Sequence, residues 1–136
     1  TASNQFTVNT AITALQVTNT GGFIPSELKG RVSTLAGSST IGATDGTGSE
    51  SSFYLSAAVA VDAAGTVYVA DTYNNKIRKI TPAGAVSTLA GLENRGSGST
   101  DSIGLSASFN APKGLAVDAA GTVYVADCNN NKIRKI

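Results

Sequence analysis

The apolar positions of this chain fall in short runs that do not alternate cleanly with polar ones. Residues 59–62 (VAVD), 66–70 (TVYVA), 76–80 (KIRKI) and 86–90 (VSTLA) read as four strands. They are rich in β-branched and aromatic residues and are separated by turn chemistry. Ala63-Ala64-Gly65 makes the first turn, where glycine takes the positive φ of a tight hairpin. Asp71-Thr72-Tyr73-Asn74-Asn75 makes the second, because asparagine tolerates the left-handed region. Residues 81–85, with Pro and Gly, make the third. Four short strands joined this way predict an antiparallel four-stranded sheet. Val67, Tyr68, Val69 and Ala70 are apolar without a break, so both faces of that sheet are expected to be covered. Ile77 and Ile80, three apart, cannot share a face of a regular strand, which predicts a bulge or strong twist there.

The pattern then recurs. Residues 59–80 and 115–136 are identical at 19 of 22 positions at an offset of 56, and VSTLAG at 32–37 returns unchanged at 86–91, an offset of 54. A fixed period of this size marks stacked units that complete one another's cores. In phase with the repeat, Arg31, Val32, Ser33, Thr34, Leu35 and Ala36 form a fourth strand without its sheet. Lys132, Ile133, Arg134, Lys135 and Ile136 form a third strand without a fourth.

The segments GLAVDAAGTVYVADCNNNKIRKI (114–136) and VAVDAAGTVYVADTYNNKIRKITPAGAVSTLAG (59–91) resemble the NHL repeat. The Gly-rich stretches 42–53 and 96–109 are similar to the linkers between blades in bacterial members. The resemblance covers residues 31–136 and implies an all-β fold. The implied fold is a partial β-propeller of four-stranded antiparallel blades, about two per chain (around 31–91 and 92–136), completed by other chains. NHL domains are typically six-bladed, so the resemblance implies part of a ring.

Residues 1–30 leave two readings open. Residues 5–9 and 12–18 look like strands, and the segment is either a degenerate blade or an extended arm that adds to a neighbour, with Phe6, Val8, Ile12, Leu15 and Val17 as its apolar contacts.

Composition narrows the chemistry. The net charge is +1 and only 14% of residues are charged, so no strong field attracts nucleic acid or acidic lipid. No apolar run approaches the roughly 20 residues of a membrane-spanning helix, and no membrane insertion is expected. The lone cysteine, Cys128, cannot pair within the chain. With no Met and a Thr-Ala-Ser start, the chain reads as a mature secreted form or a proteolytic fragment. There is no His, hence no Ser-His-Asp triad and no His-ligated zinc. The peptidyl-amidoglycolate lyases that this family resembles in fold use metal-bound His, and their ligands have no counterpart here. Asp71 and Asp127 are expected to hydrogen-bond backbone N–H groups in their turns, with Asn74 and Asn75, and Asn130 and Asn131 in the second copy, as the other structural turn residues. Asp45 and Glu50, in a Gly-rich loop, could wrap calcium; no other cofactor is expected. The basic clusters at 76–79 and 132–135 lack a repeated aromatic platform and are expected to solvate an outer strand rather than bind RNA.

The unpaired strands at the two ends suggest that one copy completes the next, the spare strand 31–36 adding to the open edge at 132–136. The expectation is a non-enzymatic, secreted or cell-surface structural subunit whose partners are other copies of itself, forming a ring or a tubular filament. The alternative is a glycan- or protein-binding fragment of a larger cell-surface propeller.

Overall fold

The computed structural model describes residue 30 and residues 32–136. The arm positions Phe6, Val8, Ile12, Leu15 and Val17, and Arg31, lie outside the described residues. Residues 33–136 form one unit. Its strands are β1 (Gly46–Thr47), β2 (Ala58–Val61), β3 (Val67–Asp71), β4 (Lys76–Ile80), β5 (Ala85–Ala90), β6 (Pro112–Val117), β7 (Val123–Asp127) and β8 (Lys132–Lys135). They build two antiparallel sheets, ordered β1-β5-β4-β3-β2 and β6-β7-β8. The first is the expected four-stranded blade with a two-residue strand from the linker added along its outer edge. The second is the same blade with, among the described residues, no strand at its fourth position.

The turns follow their chemistry. Gly65 has φ +83°, and Asn75 and Asn131 close matching one-turn 3₁₀ segments at φ 53° and 55°. The register of β4 on β5 shifts between Ile77 and Arg78, a bulge in the strand where one was expected. Ile77 and Ile80 are both buried for a further reason: they face opposite cores. Ile77 pairs with Ala70 on the face we call the front, and Ile80 pairs with Val67 on the rear. The front cluster joins Tyr68, Ala70, Ile77 and Ala90 to Phe109, Val123 and Val125 of the second sheet, with Leu115 and Val117 against it. The rear cluster holds Val69, Ile80 and Val86 beneath Phe53 and Ala36. The front of the first blade therefore packs on the rear of the second. Polar contacts tie the same seam: Thr72 Oγ1 donates to the Pro112 carbonyl at 2.7 Å, and the Ala111 N–H donates to Asn75 Oδ1 at 2.9 Å.

One expected strand is not formed. Val32, Ser33, Thr34, Leu35 and Ala36 are not in a sheet, and Val32 and Leu35 are exposed. The identical segment at 86–90 is a strand because β4 lies beside it; residues 32–36 have no such partner in this unit. Sequence alone does not make a strand here, and the neighbouring edge does.

Phe109 is almost fully buried between the sheets, whereas its counterpart Phe53 is only half-buried. Phe109→Ala is expected to cost about 3–5 kcal/mol by removing a core aromatic from the inter-sheet seam, and Phe53→Ala distinctly less. Urea denaturation of the two variants checks the order; equal losses would mean that the two positions are packed alike.

Candidate functional site

In each blade the linker, the β3–β4 turn and the third strand converge on one arginine. Arg78, on the rear of β4, is fully buried. Its Nη1 donates to Asp71 Oδ2 at 2.9 Å and to the Ser52 carbonyl at 3.0 Å, and its Nη2 to Asp45 Oδ1 at 2.6 Å and to the Thr44 carbonyl at 2.9 Å. The guanidinium lies over the Phe53 ring, 5.0 Å from its centroid. Arg134 repeats this with Asp127, the Ser108 and Thr100 carbonyls, Asp101 and the Phe109 ring. A planar fork with five donors can serve two carboxylates and two carbonyls at once, which a lysine ammonium cannot do in this geometry.

Asp71 and Asn74 belong to this frame. Asp71 Oδ1 accepts from the Tyr54 N–H at 2.8 Å, and Oδ2 from Asn74 Nδ2 at 2.8 Å as well as from Arg78. Asn74 Nδ2 also reaches the Gly42 carbonyl at 2.7 Å. Asp127 and Asn130 make the equivalent bonds to Asn110 and Gly98. These carboxylates thus hold the linker of their own blade rather than the backbone of their own turn. Asn75 reaches across the seam to Ala111 and, through Nδ2, to the Arg95 carbonyl at 3.1 Å; Asn131, its counterpart, is exposed.

Asp45 and Glu50, the calcium candidates, both have partners within the first blade. Asp45 meets Arg78 and also accepts from the Thr88 N–H at 3.1 Å and hydroxyl at 3.2 Å. Glu50 turns back to the Thr47 N–H at 3.4 Å as part of a capping box. Among the described residues no three acidic, Cys or His side chains are grouped to hold a metal, and a buried guanidinium beside Asp45 opposes a cation there. The two basic clusters differ: in the first copy Lys76 and Arg78 are buried, not spread along a solvated edge, whereas Lys132 and Lys135 of the second copy are exposed. Desolvation, and then the charge of Arg78, hold the Lys76 ammonium below the ordinary lysine value. Sequence reasoning treated Arg78 and Arg134 as surface residues. The signal that could have located them is the Asp45-to-Arg78 and Asp101-to-Arg134 spacing, which is 33 residues in both copies.

A second repeated device sits in the hairpin between the first two strands. Asp62 accepts from the Thr66 N–H at 2.8 Å, the Ala64 N–H at 3.0 Å and the Tyr68 hydroxyl at 3.2 Å, and Asp118 does the same with Thr122, Ala120 and Tyr124. The backbone bond from Thr66 or Thr122 is the main cause that lowers each carboxyl below 3.8. Folded titration below the unfolded value means that these turns add stability above that pH and lose it as the pH falls through the folded titration. In a carbon-13 carboxyl titration both groups should titrate below 3.8, and Tyr68→Phe or Tyr124→Phe should move the partner upward. An unmoved midpoint in both variants would remove the phenol from the cause.

The arginines make a sharper test. Arg78→Ala leaves buried Asp71 without its countercharge and should cost about 3–5 kcal/mol. Arg78→Lys should recover little of that loss, and Arg134→Ala, in the more open copy, should cost less. Denaturant midpoints decide it, and a full rescue by lysine would show that charge alone suffices.

The comparisons with known proteins agree with this repeated geometry. The family model described as NHL repeat matches residues 57–80 and 109–136. The chain is 43% identical over 74 residues to NHL repeat-containing protein 2 of Bos taurus, covering 50% of this chain and 10% of that protein. To Teneurin-3 of Mus musculus it is 33% identical over 92 residues, covering 58% of this chain and 3% of that one. An auxiliary nutrient binding protein from Bacteroides thetaiotaomicron superposes with a TM-score of 0.66 at 28% identity, over 74% of this chain and 27% of that structure. The chain therefore spans a tenth or less of these relatives and about a quarter of the solved structure. With the frame, turns and linkers repeated in phase, the chain carries two NHL repeats, at residues 57–80 and 109–136, and these form neighbouring blades of a β-propeller fold.

Proposed function

We propose that this chain is a non-enzymatic structural module, a pair of propeller blades that joins other copies of itself face to face. The observation that carries this reading is the contrast between equivalent residues. Ile77 is 0% exposed and Tyr68 8%, whereas Ile133 and Tyr124 on the open front of the second blade are 76% and 40% exposed. On the open rear of the first blade Val59 and Val61 are 65% and 56% exposed, whereas Leu115 and Val117, their counterparts, pack into the seam. The two open faces are the two halves of the interface that already joins the blades. An apolar sheet face of this kind is a docking surface. Each large side chain fully buried on it contributes about 1.5–3 kcal/mol.

Such a contact is heterologous: it closes into a ring when the rotation fits and otherwise continues as a tubular filament. Three copies would supply the six blades typical of the resemblance. The recurrent carboxylates support a structural rather than a catalytic role, since each is engaged with arginine, amide or phenol donors. The burial of Lys76 and Arg78 weighs against a nucleic-acid surface. The weakly charged, Ser-, Thr- and Gly-rich composition suits a secreted or cell-surface setting. A second reading, a glycan- or protein-binding segment of a larger cell-surface propeller, is favoured by the small share of each relative that the chain spans.

Light scattering across a dilution series tests the first reading. Two or three chains per particle, or a mass that grows with concentration, is expected, and Ile133→Asp should shift it toward the 13.6 kDa monomer. A lone 13.6 kDa species for the unmodified chain would overturn self-assembly and leave the second reading.

A further inference from the structure

The second sheet has an open groove of about 620 Å³ where the first sheet has β5. One wall is residues 132–136, and the other is the linker at Asp101, Ser102, Ile103 and Gly104. In the first blade the equivalent walls, β4 and the linker at 45–48, enclose the strand VSTLA. There Asp45 accepts from Thr88, and its side chain is 50% exposed; Asp101, bonded among the described residues to Arg134 alone, is 85% exposed.

We infer that this groove is a docking site for one occupant, residues 32–37 of a second copy of this chain. The inference rests on the self-association proposed above and names the segment that completes it. Three observations select the occupant. Residues 32–37 have the same six residues as the strand that fills the equivalent groove, 86–91. The glycines that bracket the two segments also match: Gly30 and Gly84, two residues before each, have φ 80° and 83°, and Gly37 and Gly91, at the ends, have φ 112° and 119°. The glycine is required at the end, since a Cβ on Gly91 would come within 2.6 Å of the Asn75 carbonyl oxygen.

The third observation fixes the direction. Gly91, at the end of β5, donates its N–H to the Gly104 carbonyl in the linker of the following blade, and Ala90 packs in the cluster that holds Phe109. Gly37 donates to the Gly48 carbonyl in the linker of the first blade, and Ala36 packs beside Phe53. Residues 36–37 thus sit on the first blade as 90–91 sit on the second. Residues 36–37 stand on the rear of the first blade, away from the seam and from the groove of their own chain. The movement that carries the first blade onto the second would, applied once more, bring a second copy's rear face onto the open front. It would also bring that copy's residues 32–37 into the groove. The register of β5 on β4 then places Ala36, Thr34, Ser33 and Val32 of the second copy opposite Ile133, Arg134, Lys135 and Ile136. Asp101 would accept from Thr34 as Asp45 does from Thr88.

Engineered disulfides test this. Ser33 and Lys135 are both exposed, and directly opposed strand residues have Cα atoms within about 4.5–5.5 Å, which a disulfide spans. In a Cys128→Ser background, Ser33→Cys and Lys135→Cys chains are mixed in a glutathione buffer. A covalent dimer is expected at least tenfold above the yield of a Ser33→Cys and Lys113→Cys mixture, because Lys113 lies on β6 at the other edge of that sheet. The double variant should give a ladder or a closed covalent ring. Thr34→Pro, which removes the N–H aimed at Asp101, should lower the yield severalfold. A disulfide closed within one chain would overturn the choice of partner. No disulfide in particles of multiple mass would overturn strand docking while leaving face-to-face assembly standing. No disulfide at 13.6 kDa would overturn both.

Discussion

The buried guanidinium of Arg78 is the constraint on which the first blade depends. A Gly-rich linker has little side-chain surface to pack, and its carbonyls need donors once a sheet covers them. Arg78 supplies two of them, at Thr44 and Ser52, while its charge is balanced by Asp71 on one side and Asp45 on the other. Burying one guanidinium costs several kcal/mol, which its two carboxylate and two carbonyl acceptors offset, although Nε has no partner among the described residues. Those acceptors come together only when linker, turn and third strand are all in place. The pair therefore acts as a check on the whole blade more than as a source of net stability. It also places Phe53 and Phe109, the rings beneath the two guanidiniums, and in the second blade that ring is the centre of the seam.

Much of the architecture was legible in the residues. Strand order, turns, the bulge in 76–80 and the doubly covered sheet follow from apolar runs, Gly and Asn positions, and the 56-residue period. Those signals are local, set by backbone preference and side-chain type. The arginine frame was not legible in the same way. Lys76-Ile77-Arg78-Lys79 looks like a charged edge, and only the fold brings Asp45, 33 residues earlier, against it. The Asp45 loop allows a cation as one reading for the converse reason, since an acidic side chain in a glycine loop does not reveal which positive group will meet it. Residues 32–36 show the limit most plainly. They share every residue with part of β5 but are not a strand, because strand formation needs a hydrogen-bonded edge that local sequence does not supply.

The positions at which the two copies differ carry information as well. Between residues 59–80 and 115–136 only Val59/Leu115, Thr72/Cys128 and Tyr73/Asn129 change. Two of the three touch the seam. Thr72 donates to the Pro112 carbonyl across it, and Leu115 packs into its apolar cluster. At a seam between copies the donor would be Cys128, a weak one, and the apolar contact would be the smaller Val59. Asn131 would still present its amide to the next blade as Asn75 does to Ala111. Leu55 and Ala111, at φ 48° and 51°, offer the same backbone shape to receive it.

Within the 22-residue repeat, a contact between copies would therefore lack one hydrogen bond and one methylene that the internal seam has. Those differences amount to about 1 kcal/mol for the bond and about 0.8 kcal/mol for the methylene. Taken by themselves, these two changes weaken the seam by more than a factor of ten in its equilibrium constant. The two blades of one chain should then remain paired under conditions in which contacts between chains open and close. A docked fourth strand would offset that deficit through its ladder of main-chain hydrogen bonds, which depend on no side chain that differs between the copies. The joint between copies would thus draw more on strand pairing and less on the blade face than the joint inside the chain, even though both are built from one repeated sequence.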